Sequence, residues 1–257
     1  MSRLKRWVIR TRERMQEMQD RIATTWRPDR ILVVHVMKTA GTSLRRMLQK
    51  EYGPRRVYPG DFHLNKLPDG CYPSAKALLE NFRALPPHNV LVGHFTAAFA
   101  DQLPVPYRTA TFLREPVQRS LSHLGHVAKL LKTTPAKLLD DPAFISSRIV
   151  DFQTRALGAD EACDPHEVAM VGDRMLDRAI RRLETMDFVG LTERFEDSCR
   201  IFDQRFGTRI ARLTRRENVL RPEGNELAEL ISRIEPFVQR DRLLYETAVV
   251  HFNASRG

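Results

Sequence analysis

The polar and apolar positions of this chain alternate between two periods. Leu4, Val8, Met15, Met18 and Ile22, with Thr11 in register, recur at alternating steps of four and three, which predicts a helix limited by Pro28. A short apolar run rich in β-branched residues follows, Ile31 to Val36, and predicts a buried strand. A Gly/Thr/Ser turn comes next, and Leu44, Met47 and Leu48 then carry helical spacing until Gly53-Pro54. Residues 55–71, with Pro59, Gly60, Pro68 and Gly70, predict a long loop. A helix is expected over residues 74–84, a strand over 89–95 and another over 108–113. Pro116 opens a helix carrying Val117, Leu121, Leu124, Ala128 and Leu131, since a missing N–H costs nothing in the first turn. Further helices are expected over 141–157, 165–184, 194–206 and 226–253, with a strand over 188–191. Strands alternating with helices point to an α/β architecture with a mainly parallel central sheet flanked by helices. The domain is expected over residues 30–257, with residues 1–29 as a helical extension that packs on the domain, on a partner copy or on a membrane surface.

Length and composition add bounds. The 257 residues suit one α/β domain, and an apolar content of 42% suffices for a core. No run of apolar residues reaches the roughly 20 needed to cross a bilayer. Lysine and arginine outnumber aspartate and glutamate by 42 to 32, which favours anionic partners without choosing among them. Only the net charge speaks for nucleic acid, because no aromatic-studded basic strand or recognised module accompanies it. Cys71, Cys163 and Cys199 are far apart and form no C-x-x-C pair, so they read as thiols of a reducing compartment. With no signal-like segment at Met1 to Arg30, a cytoplasmic setting is expected.

The chemistry concentrates at turns that follow strands. Lys38-Thr39-Ala40-Gly41-Thr42-Ser43 joins the first strand to a helix, a setting in which successive N–H groups and the positive helix end can cradle an anion. Gly41 is expected to make the turn, the three hydroxyls to donate hydrogen bonds, and Lys38 to add a mobile charge. An ordinary N-capped helix, with Thr42 or Ser43 closing the first turn, fits the same residues. The nucleotide-triphosphatase loop does not, because it needs two glycines and a lysine directly before Ser/Thr. A kinase would also want a strand ending in aspartate for Mg²⁺, which none of the candidate strands offers. In Arg114-Glu115-Pro116 an arginine stands where a strand ends and a helix begins, with Ser122 one turn further. Both could hold a phosphate; equally, Arg114 could pair with a helix carboxylate and Ser122 lie on a solvated face. His94 closes the strand over 89–95, either as a general base or as a histidine satisfied at the edge of the core. His123 and His126 share a helix face, but no carboxylate or cysteine completes a metal set, so no metal is expected.

Together these segments resemble the sulfotransferases that use 3′-phosphoadenosine 5′-phosphosulfate (PAPS), in particular the carbohydrate branch that includes heparan sulfate 2-O-sulfotransferase. That family carries a Lys-Thr-Ala/Gly-Gly-Thr-Ser loop, and an Arg-Asp-Pro segment with a serine eight positions after the arginine. Residues 151–155, 188–195 and 241–246 are similar as well, so the resemblance spans about Ile31 to Phe252. Met37 stands where proline is common and Glu115 where aspartate is usual; neither change removes a ligand group. The resemblance implies a three-layer, P-loop-like α/β fold. It assigns Lys38, Thr39, Ala40, Gly41, Thr42 and Ser43 to the 5′-phosphosulfate, Arg114 and Ser122 to the 3′-phosphate, and His94 to proton abstraction. Gln153 and Arg155 are expected beside the acceptor, a hydroxyl compound such as a carbohydrate or glycolipid. A small-molecule or nucleoside kinase and a non-catalytic anion-binding module are the competing functions.

Overall fold

The computed structural model describes residues 30–59, 74–169, 171–214 and 225–254. Five strands form one sheet: β1 (Ile31–Val34), β2 (Val57–Tyr58), β3 (Val90–Gly93), β4 (Arg108–Leu113) and β5 (Phe188–Leu191). Their order is β2-β3-β1-β4-β5, and every pairing is parallel. All four residues of β1 are buried, as an unbroken apolar run in the middle of a parallel sheet requires. The architecture is α/β, an all-parallel sheet flanked by helices.

The α-helices of more than four residues are α1 (Gly41–Tyr52), α2 (Ala75–Glu80), α3 (Pro116–Leu131), α4 (Phe152–Gly158), α5 (Asp173–Thr185), α6 (Phe195–Phe206), α7 (Asn225–Ile234) and α8 (Gln239–Ala254). The main core joins the strands to α1, α4, α5, α6 and α8. A second cluster packs Val117, Leu124 and Ala128 of α3 on Leu230 and Ile234 of α7.

Register sets the working edge. Val34 lies opposite Gly93, so His35 and His94 leave the sheet side by side. β1 connects towards β2 and β4 towards β5, so these neighbouring strands part at their carboxyl ends, where a parallel sheet opens a crevice.

Several expected elements are divided. The loop expected over 55–71 begins with a 3₁₀ turn and the two residues of β2, too short to show a period. The helix expected over 141–157 is a short turn, a π-helical segment (Ile145–Ile149) and then α4, separated by Asp151 in the left-handed conformation with φ 40°. Residues 165–184 divide into a 3₁₀ turn at Pro165–Glu167 and α5, which starts after Gly172. Residues 226–253 divide at Glu235–Phe237, where Pro236 has no N–H to continue α7. The helix expected over residues 4–22 lies outside the described residues. Among the described residues, no helix is long and apolar enough to cross a membrane.

Candidate functional site

The loop after β1 turns through two residues with positive φ, Lys38 at 71° and Ala40 at 64°. Each non-glycine residue held there costs on the order of 1–3 kcal/mol, a strain that clusters at functional turns. The turn is therefore made by Lys38 and Ala40 and not by Gly41, as the sequence had led us to expect. Gly41 opens α1, and its glycine has another cause. A Cβ there would lie 1.8 Å from Cδ2 and 1.9 Å from Nε2 of His35, whose ring packs directly on the loop.

No side chain caps α1, so Thr42 and Ser43 are not spent on its first turn and its leading N–H groups remain for an anion. Thr39 differs. Its buried hydroxyl donates to the Val36 carbonyl at 2.8 Å, which locks the turn and leaves only its backbone for a ligand.

Two arginines hold the loop from behind. Arg114 donates from Nη1 to the Lys38 carbonyl at 3.2 Å, and Arg119 from Nε to the Met37 carbonyl at 3.2 Å. Arg119 is fully buried, lies 4.0 Å from the Phe152 ring centre and also donates to the Arg148 carbonyl. Burial lowers its pKa to about 9, with Arg155, Arg148 and Arg114 adding to the effect and Asp241 opposing it. Burial also lowers the Lys38 pKa, with Arg114 and Arg119 adding repulsion. An anion beside Lys38 would relieve that crowding.

The loop and Arg114 border one cleft of about 650 Å³, lined by Lys38, Ala40, Gly41, Thr42, Ser43, Arg114 and Ser122, and by residues 192–197. Seven of the eight residues expected to hold the nucleotide thus share a single cavity, Thr39 lying buried behind it. A Cβ built on Gly125 meets nothing within 4 Å, so α3 leaves space beside Ser122.

The other segments of the family resemblance hold Arg114 in place. Gln153 clamps its backbone, accepting from Arg114 N at 2.9 Å and donating to its carbonyl at 2.8 Å. Glu115 caps α3 by accepting from the N–H groups of Val117 and Gln118. Glu193 accepts from Glu115 N–H and from the Tyr245 hydroxyl, and lies 4.0 Å from Arg114 Nε. Asp151 and Asp241 exchange caps. Asp241 accepts from the N–H groups of Gln153 and Thr154 at the start of α4, and Asp151 from those of Arg240 and Asp241 at the start of α8. Burial raises the Asp241 pKa to about 6, against the pull of its N–H donors.

Gln153 and Arg155 line neither this cleft nor the smaller pocket described below. Both are fully buried, and Arg155 donates to the carbonyls of Ser146, Ser147 and Val150. The sequence displayed their polarity but not their burial. His123 is also buried, stacked 5.9 Å from Phe144 with neither ring nitrogen hydrogen-bonded, whereas His126 is exposed.

His94 lines a second, smaller pocket of about 170 Å³, together with Met37, Leu78, Val92, Phe152, Arg148, Asp164 and His166. Its Nδ1 lies 2.9 Å from the His35 carbonyl. A carbonyl can only accept, so Nδ1 carries the proton and Nε2 the basic lone pair. Burial lowers the His94 pKa, so the ring is neutral at pH 7. His35, which we did not single out from the sequence, lines both cavities. Its position in the apolar run three residues before Lys38 was the available signal.

Among the described residues, Asp164, His166 and Glu167 form one group able to hold a metal ion, their ligand atoms within 4.8 Å of one another. Arg148 opposes a cation there, since its charge acts on both Asp164 and His166. Cys163 and Cys199 are free thiols, with pKa values raised by burial to about 11 and about 12. No protein-family model matches the chain, and no curated protein matches its sequence.

Proposed function

We propose that this chain is a sulfotransferase that moves a sulfuryl group from PAPS to an acceptor hydroxyl. The observation that carries the reading is the larger cleft, where a lysine loop with uncapped helix N–H groups faces an arginine–serine pair. A nucleotide with two separated anionic ends fits this arrangement. The strand order, with the anion loop directly after the central strand β1, supports a P-loop-like form of the α/β fold.

In this mechanism the 5′-phosphosulfate lies on the N–H groups of residues 40–43 and on Lys38, and the 3′-phosphate on Arg114 and Ser122. The acceptor hydroxyl enters the smaller pocket. Its oxygen forms a bond to sulfur while its proton passes to Nε2 of His94. The bond from sulfur to the 5′-phosphate oxygen breaks, and that oxygen keeps the electron pair. Lys38 and the loop N–H groups stabilise the charge that grows on it. Adenosine 3′,5′-bisphosphate (PAP) leaves. The positive field comes from lysine, arginine and the helix end.

A carbohydrate acceptor suits the smaller pocket. Phe152, Met37 and Leu78 offer surface for the apolar face of a sugar ring, and Arg148, Asp164 and His166 offer partners for its hydroxyls. A cytoplasmic setting belongs to this proposal as well.

The test is transfer of label from sulfur-35 PAPS to a panel of sugars, glycolipids and simple alcohols. Wild type is expected to label at least one acceptor, and Lys38→Ala and His94→Ala to lose transfer. Unchanged transfer by both variants would remove their assigned roles. Binding of ATP with Mg²⁺ in place of PAPS would turn the reading to a kinase.

A further inference from the structure

Two cavities that cooperate in one transfer must meet where the group changes hands. Of the residues that line the larger cleft and those that line the smaller pocket, His35 is the one common to both. Its backbone is fixed: the N–H donates to the Gly93 carbonyl at 2.9 Å, and its own carbonyl orients His94. Its ring is packed as well, against Gly41 and with its centre 4.3 Å from that of the His94 ring. Unlike His94, the His35 ring makes no hydrogen bond among the described residues.

We propose that His35 is a further catalytic residue, whose ring N–H donates to a sulfuryl oxygen as the group crosses between the two cavities. This rests on the transfer reaction proposed above. His35 forms and breaks no covalent bond and keeps its proton throughout. The acceptor proton goes to His94, and the electron pair of the broken bond goes to the 5′-phosphate oxygen. The two rings therefore divide the work. His94 has an orienting carbonyl on Nδ1 and acts as base. His35 has no such partner, and burial, His94, Arg45 and Lys38 all lower its pKa, so it stays neutral even when His94 takes up a proton. A neutral N–H held in place by packing needs little reorganisation as charge develops.

The experiment uses PAP and orthovanadate, which on becoming five-coordinate presents three equatorial oxygens that imitate the sulfuryl group in flight. PAP binding is measured by calorimetry with and without vanadate, for wild type, His35→Phe and His35→Leu, which lack the N–H, and His35→Asn, which keeps one. Thermal melts establish that each variant is folded. Wild type is expected to bind PAP at least tenfold more tightly with vanadate. The gain is read in each variant against its own affinity for PAP alone; the Phe and Leu variants are expected to lose it, with Asn retaining part. Equal vanadate gains in wild type and either N–H-free variant overturn the role of His35 while leaving the sulfotransferase reading intact. A wild type that binds PAP without any vanadate gain also overturns it. A wild type that does not bind PAP overturns the reading itself.

Discussion

The larger cleft and the smaller pocket share one wall but are built from different material. The cleft joins backbone N–H groups at the start of α1 to a few cationic and hydroxyl side chains, on a turn strained at Lys38 and Ala40 and held by two arginines at the loop carbonyls. The pocket is lined by side chains, several from irregular segments such as the π-helical stretch carrying Arg148 and the 3₁₀ turn carrying His166. Backbone donors at a sheet edge recognise any phosphate and depend little on side-chain identity. A pocket of side chains on irregular segments can change specificity without disturbing the sheet. Affinity for the nucleotide should therefore follow the loop and its supports, and turnover the pocket.

The sharpest way to break this contrast is to disable each cavity in turn. His94→Ala should lower turnover by about 10²- to 10⁴-fold, the scale of a lost general base, while PAP affinity stays within about twofold. Lys38→Ala should lower both turnover and PAP affinity, with turnover losing about 10²- to 10³-fold. If both variants changed affinity equally, the two cavities would not be separate in function. The pH profile adds a second reading of His94. It must be neutral to accept a proton, and its pKa is depressed below 6.5. The acid limb of kcat/KM should therefore fall below pH 6.5, and an acid limb above that value would remove His94 as the base.

Gly41→Ala should come next. Its Cβ has no room beside the His35 ring, and overpacking of this kind costs about 1–3 kcal/mol. Calorimetry should show PAP affinity down by about tenfold or more, and part of that loss recovered in a His35→Ala background, where the clash is gone. A further variant concerns the support behind Arg114. Gln153→Ala removes two hydrogen bonds to the Arg114 backbone and should cost about 1–3 kcal/mol, seen in urea unfolding and as weaker PAP binding. If instead it changed only acceptor selectivity, Gln153 would belong to the smaller pocket after all.

The smallest effect on function belongs to His123, which lies in neither cavity. Its pKa is lowered to about 2 by burial, and then by nearby cations. The unfolded chain takes up that proton near pH 6.5, so stability is lost as pH falls below 6.5. His123→Phe should leave PAP binding within about twofold and remove about 1–2 kcal/mol of the stability lost between pH 7 and pH 5. An unchanged pH dependence would contradict its neutral burial.

Much of the loop cleft was legible in the sequence, because a β-branched strand, a short turn and an amphipathic helix adjoin one another at residues 31–52. Pro116 likewise marked the start of α3. The supports were not legible. Asp151 and Asp241 cap each other's helices across 90 positions, and no local pattern reports such a contact. The burial of Gln153 and Arg155 was hidden for the same reason, since a polar residue on a short helix reads as exposed until its neighbours are known. β2 is two residues long and shows no period. His35 lies three residues before the lysine of the loop, but only the register of β1 on β3 sets it beside His94.

The central claim, that the cleft holds a nucleotide with two separated anionic groups, is tested most directly by calorimetry with PAP. The account predicts one site per chain, with affinity reduced about tenfold or more in both Lys38→Ala and Arg114→Ala, each of which loses a charge-assisted contact. No binding, or equal binding by wild type and Arg114→Ala, would contradict it.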